Sequence, residues 1–211
     1  MGIIFTIMNE SNPSELPVLV FATHNPNKAQ EVQRMLGSAF CIQTLTDIGC
    51  HEEISETATD LKGNALIKAQ YVSEVYGLDC FADDTGLEVD ALNGAPGVRT
   101  ARYAGENSDS QANMRKLLLA MSKIPDLERS ARFRTTICLI RGGDVTYIEG
   151  TCEGSIALNQ SGAQGFGYDP VFIPQGESVT FAEMTGTSKN EISHRGKAIR
   201  FMVGELLGKS S

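Results

Sequence analysis

The sequence predicts an α/β protein whose mixed β-sheet is flanked by helices. Three observations lead there. Apolar runs short enough for buried strands alternate with helix-period segments through the first half of the chain. In the second half the apolar period switches from helical to two, and a glycine pair marks a hairpin. The chain has 211 residues, enough to bury a sizeable core as one domain or two closely joined lobes.

Residues 1–16 read as a weakly ordered extension, because "NESNPSELP" is polar and broken by two prolines. Residues 17–211 read as a single domain. "VLVFAT" (18–23) is an apolar run with the look of a buried strand. Asn25 then suits a helix N-cap and Pro26 a first helical residue, while Ala29, Val32 and Leu36 recur at helical spacing until Gly37 ends the run. A second helix covers 59–77, with Leu61, Ala65, Ala69, Val72 and Tyr76 on its apolar face. "DCFADD" makes a short strand that runs out into a turn, and "LEVDAL" a half-buried one. "NGAPG" is a turn by composition. A third helix, Asp109 to Ser122, carries Met114, Leu117, Leu118 and Met121 on one side. "ARFRTTICLI" and "DVTYIEG" flank Gly142-Gly143 as a hairpin, and "GSIAL" and "YDPVFI" add strands. The last helix runs from about Arg195 to Leu207, with Ile199, Met202 and Leu206 in register.

Composition removes several classes. No segment approaches the roughly 20 apolar residues that cross a bilayer, so no membrane partner is expected. "MGIIFTIM" lacks the basic flank and cleavage site of a signal peptide, and Gly2 with Thr6 fits only the loose myristoylation pattern. The five cysteines are odd in number, dispersed and without C-x-x-C, which suits reduced core thiols in a cytoplasmic protein. Three histidines, none at i, i+4 from another, argue against a transition-metal site. A net charge of −8 argues against a nucleic-acid partner. A small anion remains open, bound by a few basic residues in one cleft together with a divalent cation.

Four segments carry candidate chemistry. Thr23, His24, Asn25, Pro26, Asn27 and Lys28 form a strand-to-helix turn, where unpaired N–H groups and a nearby lysine suit phosphate. An ordinary capped helix would show the same residues. Glu52, Glu53 and Glu56 with Asp83 and Asp84 form an acidic set. Successive residues leaving a strand point to opposite sides, so one of the aspartates faces a ligand while the other braces the turn. Mg²⁺ would relieve their repulsion, since it takes one or two carboxylates plus water and phosphate; two turn-capping aspartates would also account for them. "GAQGFGYDPVF" offers a flat ligand close backbone approach at Gly167, aromatic faces at Phe166 and Tyr168, and an acceptor at Asp169. A tight hairpin has the same needs. "TSKNEISHRGKAIR" is the most basic window, with Lys189, His194 and Arg195 near a helix start. Together the four supply what a nucleoside triphosphate site needs. No Walker A or G-x-G-x-x-G fingerprint is present.

The motifs "T-x-N-x-x-K" after the first strand, "ADDTGLEVDAL", "GAPGV", "ARYAG", "GFGYDPVF" and "AEM…KNEISHRGKA" resemble the inosine triphosphate/xanthosine triphosphate pyrophosphatase family, house-cleaning enzymes for non-standard purine nucleotides. The resemblance runs over about 18–207 in one motif order. It implies Mg²⁺-dependent hydrolysis of ITP, dITP or XTP to the monophosphate and pyrophosphate, an elongated fold with the site in a cleft between two lobes, and a homodimer. It places Thr23 to Lys28 at the phosphate turn, and Asp84 at the metal-binding, proton-accepting aspartate with Asp83 in support. It makes Thr85 a substrate contact, Glu56 a metal carboxylate and Lys68 a phosphate-binding lysine. Phe166 to Asp169, Lys189, His194 and Arg195 fall on nucleoside contacts. The chain departs from the family pattern at Gly63, Ser161 and Ser188.

On this reading Asp84 and Glu56 hold Mg²⁺ and Asp84 orients or deprotonates a water that attacks the α-phosphorus, while Lys28 and Lys68 offset phosphate charge. A donor aimed at a 6-keto oxygen would reject the 6-amino group of adenine. Two other readings remain: a pyrophosphatase for pyrimidine or modified triphosphates, and a non-catalytic nucleotide sensor.

Overall fold

The computed structural model describes residues 17–37 and 40–207. The expectations for residues 1–16 lie outside them. In chain order the elements are β1 (Val18–Phe21), α1 (Pro26–Leu36), β2 (Cys41–Thr44), α2 (Leu61–Tyr76), β3 (Cys80–Val89), β4 (Pro96–Gly97), α3 (Ser110–Ala120), β5 (Ser130–Arg141), β6 (Asp144–Ile156), β7 (Phe172–Pro174), α4 (Gly186–Ile192) and α5 (His194–Leu206). Seven strands form one sheet in the order β2-β1-β3-β5-β6-β7, with β4 on the edge of β3. β2, β1 and β3 run parallel and the other pairings are antiparallel. The mixed α/β sheet expected from the sequence is therefore present. No helix among the described residues is long and apolar enough to cross a membrane.

Local signals set most helix ends. Asn25 accepts hydrogen bonds from the N–H groups of Asn27 and Lys28, and Gly37 and Gly77 close α1 and α2 with positive φ. Asp109 caps α3 and Ser193 caps α5. β3, β5 and β6 hold 10, 12 and 13 residues. At about 3.4 Å per residue the longest spans about 44 Å, so these strands run through two successive cores. In the first, α1 and α5 cover Phe21, Phe81, Ile137 and Ile148 on one face, and α2 covers Val20, Ala82 and Cys138 on the other. In the second, Leu87, Phe133, Phe172 and Phe181 pack with Met114 and Leu117 of α3. These are the two lobes.

Four expectations need correction. β3 does not end at Asp84 but continues to Val89, so the paired aspartates lie in mid-strand rather than at a turn. "YDPVFI" enters as a 3₁₀ turn, Asp169–Val171, before β7 begins. The four residues of β2 and the seven of α4 add elements whose sequences are too short to show a period. Cys41 is exposed, whereas the other four cysteines are buried and all five are free.

The pairing pattern of β3 positions the site. β1 pairs with it only at Cys80 and Phe81, and β4 only at Leu87 and Glu88. Between them Asp83, Asp84, Thr85 and Gly86 have β5 alone as strand neighbour. This gap in the sheet edge falls where one core gives way to the other.

Candidate active site

A cavity of about 1250 Å³ opens over the gap. The strand pleat turns Asp83 and Asp84 to opposite faces. Asp83 meets α1 and α5: its Oδ1 accepts from Lys28 Nζ at 2.6 Å and its Oδ2 from Arg195 Nε at 2.9 Å. Asp84 meets α2, where Asn64 and Lys68 share a face at i, i+4. Asn64 Nδ2 donates to Asp84 Oδ2 at 3.1 Å, and Lys68 Nζ lies 3.7 Å from Asp84 Oδ1. Lys68 also donates to Glu56 Oε1 at 2.5 Å and to the Asp83 carbonyl at 2.8 Å, an edge acceptor beyond the reach of β1. Glu56 Oε2 accepts from Arg102 Nη2 at 3.2 Å.

The two aspartates differ in protonation energetics. Burial alone would raise the Asp83 carboxyl, but Lys28 and Arg195 outweigh it and hold it well below the usual carboxylate range. At Asp84 burial prevails over Lys68 and Lys28, and the carboxyl is raised. Glu56 is lowered, because Lys68 outweighs its burial. Burial would lower Lys68, yet Asp84 and Glu56 raise it, so it stays an ammonium.

Glu56 and Asp84 thus converge on one cation position, filled here by the Lys68 ammonium. Two hard carboxylate donors fit Mg²⁺, which draws its other ligands from water and phosphate. Among the described residues no three His, Cys, Asp or Glu side chains gather to hold a metal. An all-oxygen donor set of this kind suits a hard cation.

At the other end of the cavity, Phe166 is half-buried beside Lys189, and Arg195 Cζ lies 5.6 Å from its ring centroid. Arg195 also donates from Nη2 to Thr85 Oγ1 at 3.1 Å. His194 is buried and stacked on Phe133 at 4.5 Å between centroids, and its Nδ1 has no hydrogen-bond partner among the described residues. Burial, with Arg195 and Lys189 nearby, holds His194 well below its ordinary 6.5, so the ring is neutral at pH 7. Its helix approaches this closely because β6 carries Gly150, where a Cβ would lie 2.7 Å from Ala198 N.

The predicted residues fall into place unevenly. Thr23, His24, Asn25 and Lys28 line the cavity at the β1–α1 turn, but Pro26 and Asn27 do not. Asn25 Oδ1 is taken up by capping α1, and His24 Nε2 donates to the Glu52 carbonyl at 2.9 Å. Glu53 lines the wall, whereas the Glu52 carboxylate accepts from Tyr71. Asp83 lies beneath the cavity rather than in its lining. Gly167, Tyr168 and Asp169 line the cavity beside Phe166, but the Tyr168 ring belongs to the second core and its hydroxyl donates to the Thr100 carbonyl at 3.0 Å. That ring offers no free face, contrary to expectation. Asp169 Oδ2 accepts from Phe166 N and Lys189 Nζ, both at 2.8 Å, so it fixes its own loop.

Three further residues belong to the arrangement. Arg102 sits in "ARYAG", a motif that gave no hint of its partner Glu56. Asn64 sits beside the departure at Gly63. Glu31 of α1 reads as a surface residue of a capped helix, yet it is buried between Arg195 and Lys189.

The sequence profile of the Ham1 family matches residues 19–205. A dITP/XTP pyrophosphatase from Porphyromonas gingivalis is 54% identical over 181 residues, covering 86% of this chain and 93% of that one. Among solved structures, the Staphylococcus aureus Ham1 protein aligns with a TM-score of 0.82 at 32% identity, covering 92% of this chain and all of that one. A nucleoside-triphosphatase / dITP/XTP pyrophosphatase from Mycobacterium abscessus aligns with a TM-score of 0.72 at 43% identity, covering 88% and 98%. A match that runs from the first strand into the last helix leaves no part of the cleft outside it, and the chain belongs to the Ham1 family.

Proposed function

We propose that the protein hydrolyses the triphosphates of non-standard purines, ITP, dITP and XTP, to the monophosphate and pyrophosphate. The observation that carries the reading is Asp84: a buried carboxylate held by Asn64, beside Lys68, in one cavity with a cationic turn and an aromatic, donor-rich cluster. The names of the curated relatives support the substrate class. On this reading the phosphates lie over the β1–α1 turn with Lys28 and Lys68, and the base lies against Phe166. Asp84 accepts a proton from the water that attacks the α-phosphorus. Pyrophosphate leaves against the ammonium groups of Lys28 and Lys68, so charge stabilisation is in place before the bond breaks. Glu56 and Asp84 are the residues that would hold Mg²⁺. When bound, the ion neutralises charge on the phosphate oxygens. At the base end Lys189 and Arg195 donate to a 6-keto oxygen, and neutral His194 has Nδ1 free to pair.

The test is product analysis with purified protein, Mg²⁺ and ITP, dITP, XTP, GTP, ATP and CTP in parallel, assaying pyrophosphate and orthophosphate separately. Pyrophosphate from the first three, with little from ATP or CTP, is the expected result. Orthophosphate as first product would sink attack at the α-phosphorus. Preference for CTP would move the substrate to the pyrimidines, and binding without turnover would make the protein a sensor.

A further inference from the structure

We propose that Glu31, three residues beyond the T-x-N-x-x-K motif, sets base selectivity by holding Lys189 and Arg195 in fixed orientations. The inference rests on the reading that the Phe166 end of the cavity takes a purine.

Glu31 lies one helical turn after Lys28 on α1 and is only 9% exposed. Its Oε2 accepts from Arg195 Nη1 at 2.6 Å, and its Oε1 lies 3.2 Å from Lys189 Nζ. It is the fourth member of a chain of alternating charge, half-buried at Lys28 and buried beyond it: Lys28, Asp83, Arg195, Glu31, Lys189, Asp169. Among the described ion pairs, Glu31 alone joins Lys28, Asp83 and Arg195 to Lys189 and Asp169. Packing does not require it there, because α1 and α5 already share Val32, Leu36, Ile199 and Met202 in one apolar core.

The donor count shows what Glu31 does. A lysine ammonium has three donors; one on Lys189 goes to Asp169, and the Glu31 carboxylate, 3.2 Å away, draws the ammonium from a second side. Three of the five N–H groups of Arg195 are engaged, by Asp83, Glu31 and Thr85. The donors left over are those able to reach a base lying beside Phe166, 5.2 Å from Lys189 Nζ. Their directions follow from the donors already engaged. A donor held toward a 6-keto oxygen is stranded opposite a 6-amino group, and that mismatch is the source of selectivity. Without Glu31, Lys189 keeps one anchor and can turn about its stem to suit either base.

The experiment compares wild type, Glu31→Gln and Glu31→Asp. The glutamine keeps shape and removes charge; the aspartate keeps charge but is one methylene too short to reach both cations. Steady-state kinetics with ITP and ATP give the ratio of kcat/KM, and calorimetry without metal gives the relative affinity for IMP and AMP. In Glu31→Gln the ITP-to-ATP ratio is expected to fall about tenfold or more, chiefly through KM for ITP, with the IMP-to-AMP affinity ratio falling in parallel. In Glu31→Asp it is expected to fall less. If both substrates weaken equally and the ratios hold, Glu31 is merely structural and the inference is overturned. Should Glu31→Gln not fold, an unchanged ratio in folded Glu31→Asp overturns it equally. A wild type with no preference for ITP overturns the base reading and this inference with it. A selective wild type with variants that keep its ratio overturns the role of Glu31 alone.

Discussion

Adjacent carboxylates repel, and Asp83 and Asp84 coexist because the pleat sends each into separate cationic surroundings. Their surroundings assign them opposite duties. Asp83 joins Lys28 and Arg195, and its neutralisation leaves the half-buried Lys28 and the buried Arg195 each short of a partner. Breaking such a pair costs about 3–5 kcal/mol. Asp84 is different, since burial already disfavours its ionised form. An amide there keeps an acceptor for Asn64, and Lys68 retains Glu56 and the Asp83 carbonyl. Asp84→Asn should therefore match wild type in urea melts while losing at least about 100-fold in kcat, as loss of a general base does. Asp83→Asn should lose stability by about 3–5 kcal/mol. Urea melts and turnover on the same two preparations decide it. Near-wild-type turnover in Asp84→Asn would remove that residue from the reaction.

At the level of the element, α2 and the segment before it form one device. Asn64 Oδ1 accepts from Ala58 N–H at 2.9 Å, which draws the segment carrying Glu56 against the first turn of α2. Gly63 permits this approach: a Cβ there would lie 2.5 Å from Ala58 Cβ. Replacing glycine by alanine in a helix ordinarily gains about 1 kcal/mol. Here Gly63→Ala should lose stability instead, and Ala58→Gly added to it should recover most of the loss in thermal melts. A plain gain from Gly63→Ala would show that the glycine is only a weak point in the helix. The sequence reading of this helix was accurate because caps and apolar period are local. The same holds for α1, α3 and α5. β3 was broken in two because its polar centre answers to the cleft and not to the strand, and α4 has no apolar stripe to read. Glu31, Asn64 and Arg102 escaped for a different reason. Each looks like a surface residue until its partner is placed, and Arg195 lies 164 positions from Glu31.

At the scale of the whole molecule, the ion-pair chain from Lys28 to Asp169 balances three cations with three anions inside a protein of net charge −8. It reaches from the first lobe to the loop whose Tyr168 and Val171 pack in the second. Its carboxylates make stability depend on pH in a definite direction. Asp83 is held below its ordinary 3.8, so its contribution is complete above that pH and is lost progressively as pH falls below it. Glu31, also lowered, acts with the same sign. Asp84 and Asp169 are raised by burial and act with the opposite sign, since protonation relieves a cost. These opposing effects blur the acid unfolding of wild type alone. Contributions from groups that share no partner with Asp83 cancel in the difference between wild type and Asp83→Asn, which reports Asp83 together with Glu31, its neighbour on Arg195. The stability gap between the two, from urea melts, should be equal at pH 7 and pH 5 and smaller by about 1 kcal/mol at pH 3. A gap that stayed constant down to pH 3 would mean that Asp83 gains nothing from its charge, and that Lys28 and Arg195 are held by the shape of the cleft instead.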